Sequence, residues 1–80
     1  MEMYTTDFVA GRDPVQYYGT AHGIGFSHEG QIAHAINMAH EQLEKTVQGW
    51  GGNAVLGLRY ENAVYGKTLM VHVYATAVRF

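Results

Sequence analysis

The sequence predicts an α+β fold. It is a two-layer βαββ domain with a short N-terminal strand, an antiparallel sheet and one helix on one face. Three observations carry this. Residues 28–48 hold apolar side chains at a 3.6-residue period. Residues 53–61 and 68–79 each alternate with period two and are joined by a glycine-containing turn. Residues 15–26, ahead of the helix, are dominated by β-branched and aromatic side chains.

Taken in order, residues 2–12 supply an extended stretch around Met3–Thr6, followed by a turn at Gly11-Arg12-Asp13-Pro14. This segment reads as an arm packed on the rest. In the strand over 15–26, Gly19, Gly23 and Gly25 are unusual, because interior glycines mark a bend, a bulge or a close approach by another backbone. Gly19 and Gly23 share a face with Ala21, so a helix or a neighbouring subunit fits close against it.

The helix stripe is Ile32, Ile36, Ala39, Leu43 and Val47, broadened by Ala33 and Ala35. Ser27 is the expected N-cap, Glu29 suits the positive end of the helix dipole, and Gly49, Gly51 and Gly52 end the helix. In the next strand, Ala54, Leu56, Leu58 and Tyr60 are expected to face the helix, with Val55, Arg59 and Glu61 on the other side. Leu69, Val71, Val73, Ala75 and Ala77 form the inner face of the last strand. A right-handed crossover through the helix places this last strand in the middle of the three long ones.

Composition narrows the function. The chain is one domain, residues 1–80, with no cysteine, so disulfides and thiolate metal sites are excluded. Hydrophobic residues are 48% and charged residues 15%, the latter below the roughly 25% usual for soluble domains. So much apolar surface on so small a domain points to self-association. A net charge of −2 and five scattered Lys and Arg residues offer no basic face for nucleic acid. No apolar run approaches the roughly 20 residues of a membrane span, and the start of the chain lacks the parts of a signal peptide. A cytoplasmic protein is expected.

At Gly51-Gly52-Asn53-Ala54-Val55-Leu56-Gly57-Leu58-Arg59-Tyr60 and again at Leu69–Val78, the chain resembles the small bacterial YbjQ-like family, which carries a heavy-metal-binding label. In that family a Gly-Ala-Asn/Asp-Ala-Val-Val-Gly-like run follows the helix, and the closing strand ends Gly-Thr-Ala-Val. Ala75 stands here where that glycine is usual. The opening, with Thr5-Thr6, Gly11 and Val15-Gln16-Tyr17-Tyr18-Gly19, is similar too. Two departures stand out: the family's longer segment before the helix is reduced to Gly25–Gly30, and its cysteines are absent. The resemblance implies a dodecin-like subunit in a ring-shaped homopentamer.

The candidate chemistry lies on the sheet face turned away from the helix. His22 and His72 are expected there on neighbouring strands, where cross-strand partners come within about 4.5–5.5 Å. Repeated around a ring, they would form a histidine belt able to hold a divalent metal ion or an anion. The plainer reading is a pair of interface histidines bonded to Tyr, Thr or backbone. Arg59 and Tyr74 share the face, and Arg59 either grips an anion or, more ordinarily, pairs with Glu61. His34 and His40 lie about 120° apart around the helix and are expected to be solvated. Trp50 is expected to close the edge of the core.

The sequence therefore favours a non-enzymatic homo-oligomer that binds a small ligand or metal through His22, Arg59, His72 and Tyr74. The alternatives are an enzyme with a composite inter-subunit site and a structural partner of a larger protein.

Overall fold

In the computed structural model, residues 1–28 and 31–80 are described. The elements are β1 (Glu2–Met3), β2 (Gln16–His28), α1 (Ile32–Trp50), β3 (Ala54–Tyr65) and β4 (Thr68–Arg79). The sheet order is β1-β3-β4-β2, so the last strand is central among the long ones, as the crossover rule requires. Pairing is antiparallel through β2, β4 and β3, and β1 adds a short parallel edge to β3.

The helix packs mainly on β2 and β4. Its buried stripe is Ala35, Ala39, Leu43 and Val47, with Ile36 half-buried and Ile32 exposed at the margin. Small residues on both surfaces let the two layers approach closely. A methyl group at Gly23 would strike the backbone carbonyl of Ala39, and one at Gly25 that of Ala35. These two glycines, with Ala21, make the bare face on which α1 rests. Gly19 has a different role, at the point where the β2–β4 register slips.

The helix begins later than the periodicity suggests. Its N-cap is Gln31, with no side-chain cap, and Ser27 is instead a buried residue of β2. Pairing with β4 continues to His28 opposite Thr68, so the strand claims Ser27 before a helix can start there. Glu29 lies outside the described residues. At the other end, Gly51 and Gly52 donate their N–H groups to the carbonyls of Gln48 and Val47, closing the last turn as expected. Trp50 is the final helical residue and is 44% exposed, so it does not seal the core.

One face assignment is overturned in β3. Gly57 sits at a positive φ of 66°, where the β3–β4 register shifts between Leu56 and Arg59. This bulge adds one residue and exchanges the two faces ahead of it. Val55 therefore points into the core beneath the helix, while Ala54 and Leu56 point to the other side. Beyond the bulge, Leu58 is in the helix-side core, and Arg59 and Glu61 lie on the outer face, as alternation predicts.

On the outer face Ala54, Leu56 and Val78 form a second small core under Tyr4, Val9 and Phe80. The N-terminal arm is the cover. It is held by Tyr4 N–H to Val55 O, Leu58 N–H to Tyr4 O and Gly57 N–H to Thr6 O, each at 2.8–3.0 Å. Arg12 fastens it further, gripping the Glu2 carboxylate at 3.0 Å while its guanidinium lies 4.1 Å over the Phe80 ring.

Candidate functional site

The arm covers one end of the outer face and leaves the middle open. There the β2–β4 register sets His22 opposite Tyr74 and Ile24 opposite His72, so the two histidines are diagonal neighbours. β3 brings Arg59 opposite Tyr74 and Glu61 opposite His72. All four sequence-predicted residues thus lie on one patch, as strand alternation implied.

The imidazoles are in direct contact, with His22 Nδ1 2.9 Å from His72 Nε2. The ring planes differ by only 15° and the centroids are 5.1 Å apart. A ring nitrogen lies about 1.2 Å from its ring centre, so 5.1 Å is close to the largest separation that a 2.9 Å N···N contact permits. The two rings therefore meet edge to edge with their nitrogens aligned, which is the geometry of an N–H···N hydrogen bond. Tyr74 walls the pair, its ring 5.5 Å from that of His72 and 6.3 Å from that of His22.

Glu61, not Arg59, is the charged neighbour of the pair. Its Oε2 lies 4.0 Å from His72 Nδ1. Arg59 turns toward the arm: its guanidinium donates to the carbonyls of Thr5 at 2.9 Å and Leu58 at 3.1 Å and stands 3.9 Å from Asp7. The Arg59–Glu61 pairing that shared strand position suggested is not made. The bulge at Gly57 brings the arm alongside, and its carbonyl at Thr5 takes the guanidinium. On the helix side His40 bonds Tyr60 at 2.8 Å, a contact the periodicity did not foresee. A shallow groove of about 320 Å³ runs beside β2, lined by Ile24, Met38, Glu41, Gln42 and Lys45.

A metal ion is the obvious occupant to test against this geometry. The donor chemistry suits ions that prefer imidazole, such as Zn²⁺, Ni²⁺ or Cu²⁺, and the chain has no thiolate for softer ones. An ion lying between two facing nitrogens needs them about 4 Å apart, two bonds of about 2.0–2.1 Å. The observed 2.9 Å leaves no room there. Among the described residues no three His, Asp or Glu side chains converge into a metal-holding group. Among the described residues, one chain therefore offers ligands of the right kind but not a complete set.

Comparison with known proteins agrees with the architecture. The YbjQ_1 family model, described as "Putative heavy-metal-binding", matches residues 23–80. The chain belongs to this family. A UPF0145 protein of Persephonella marina is 26% identical over 98% of this chain and 97% of its own length. The same fold occurs in a crystal structure of a protein of unknown function from the DUF74 family of Pediococcus pentosaceus, with a TM-score of 0.77 and 21% identity over 100% of this chain and 97% of that one. Among the described residues of this YbjQ family member, no helix is long and apolar enough to cross a membrane.

Proposed function

We propose that the chain is a non-enzymatic, self-associating module of the cytoplasm, a ring-shaped pentamer, that binds a small ligand at the open part of its outer sheet face. The preferred ligand is an imidazole-seeking divalent metal ion held by histidines of more than one copy. The His22–His72 contact carries this reading. Two imidazoles joined on an open sheet face, walled by Tyr74 and flanked by Glu61, form a polar cluster whose donors suit such an ion.

Self-association is supported by what surrounds the cluster. Ile24 and Phe26 are exposed on the same strand and face as His22, and Tyr65 at the hairpin end is 67% exposed. Apolar side chains this open, next to a donor set that the described residues of one chain leave incomplete, suit a surface that meets further copies. Arg59 lies one cross-strand position away, but its guanidinium is directed at the arm and Asp7 rather than at the cluster.

Isothermal titration with Zn²⁺, Ni²⁺ and Cu²⁺ on the native chain and on the His22→Ala/His72→Ala double variant tests the ligand. Uptake by the native chain and none by the variant is expected. Equal affinities would remove these histidines from the site.

A further inference from the structure

The two histidines of the pair are not equivalent. His72 Nε2 bonds His22 at 2.9 Å, while its Nδ1 has the Glu61 carboxylate 4.0 Å away, beyond hydrogen-bond distance but close enough for its charge to act on the ring. Its side chain is only 25% exposed. His22 is exposed and uses Nδ1 alone.

The direction of the shared proton follows from Glu61. An ionised carboxylate only accepts, so the ring nitrogen that faces it is favoured as N–H rather than as a lone pair. With Nδ1 protonated, neutral His72 has a bare Nε2. That nitrogen accepts from His22, which must then carry its proton on Nδ1. The remaining nitrogen of His22, Nε2, is left as a lone pair. The opposite order would point the His72 Nδ1 lone pair at a carboxylate and block His22 Nε2 with a proton.

The other charged groups do not reverse this. Arg59 and Asp7 are paired with the arm and each other, and Tyr74 presents its ring.

We infer that Glu61, His72 and His22 form a relay that biases the tautomers and leaves His22 Nε2 as the one lone-pair nitrogen that the pair presents, with His72 and Glu61 as positioning residues. This rests on reading the cluster as a ligand site. It identifies the ligating atom and accounts for the incomplete donor set: each chain brings one nitrogen, oriented by the hydrogen bond from its other nitrogen, as ligating histidines generally are.

The test is a long-range ¹H–¹⁵N correlation spectrum of the imidazoles, recorded on the native chain at a pH where both rings are neutral. The expected tautomer of His22 is Nδ1–H with bare Nε2, the form less favoured by histidine in water. In Glu61→Gln the amide can donate to His72 Nδ1, and the His22 tautomer should reverse to Nε2–H. Zinc titration of the same proteins should show no uptake by His22→Ala, and weakening by about 10–100-fold in His72→Ala and Glu61→Gln. A native His22 in the Nε2–H form, or a His72→Ala variant with unchanged zinc affinity, would overturn the relay. The expected tautomers in a native chain that takes up no zinc would uphold the proton order and overturn the metal reading instead.

Discussion

Replacing Gly25 by alanine probes how the helix is seated on the sheet. A β-carbon built at this position falls on the carbonyl oxygen of Ala35, and lies only 2.8 Å from the Ala35 carbonyl carbon and 2.9 Å from the Ala39 nitrogen. These are backbone atoms, with no rotamer to swing aside, so the helix itself must lift. Lifting it opens the contacts of Ala35, Ala39, Leu43 and Val47 with β2 and β4. Overpacking of a close-fitted core costs about 1–3 kcal/mol, and a rigid neighbour puts Gly25→Ala at about 3 kcal/mol. At 0.05–0.15 kcal/mol per residue a chain this size has about 4–12 kcal/mol in total, so the loss is a large share. Gly49→Ala is the internal control, since a methyl group there meets nothing within 4 Å and the residue is helical. It should gain about 0.5–1 kcal/mol through helix propensity. Urea denaturation at one fixed protomer concentration measures both. With a slope near 1 kcal/mol/M, the midpoint should fall by about 3 M for Gly25→Ala and rise by about 0.5–1 M for Gly49→Ala. A Gly25→Ala midpoint at or above that of the native chain would refute the close seating of the helix.

Other expectations follow from the arm and the bulge. Leu56→Ala should cost about 2–5 kcal/mol, because Leu56 is enclosed under the arm, whereas Val64→Ala at an open position should stay within about 0.5 kcal/mol. Urea midpoints again report both. Gly57→Ala must hold an L-residue at a φ of 66° and should lose about 1–2 kcal/mol by the same assay. The hydrogen bonds from Arg12 and Tyr4 hold the Glu2 carboxyl below its ordinary value of 4.5. A depressed folded-state value means that the stabilisation is whole above about 4.5 and is lost as pH falls through the lowered value. The protection of the residue 2–6 amides, taken relative to their intrinsic exchange rate, should therefore fall in acid below about pH 4.5, and Glu2→Gln should remove that pH dependence. Unchanged protection across this range would show that the Arg12–Glu2 contact does not hold the arm.

Much of the fold was legible because its periodicities are strong. The helix stripe through Leu43 and Val47, the alternation of β4 and the crossover rule together predicted the central strand and put His22 and His72 on one face. What escaped was set by single residues with no periodic signal. The bulge at Gly57 reverses the faces of Ala54, Val55 and Leu56, and a glycine in a strand does not reveal whether it will bulge. Ser27 has the chemistry of an N-cap, but strand pairing to His28 claims it first. Arg59 looked free to meet Glu61 because the arm's path was not visible, and that path brings the Thr5 carbonyl to the guanidinium. The role separating His72 from His22 likewise depends on Glu61 approaching one ring nitrogen, a matter of register rather than composition.

In the proposed assembly the outer-face histidines of several copies together hold the ligand. Native mass spectrometry of the chain at micromolar concentration with zinc, beside His22→Ala, tests this most directly. An assembly of several chains carrying fewer ions than chains is expected, with the ions missing from His22→Ala. A monomer, or equal zinc content in the two proteins, would contradict it.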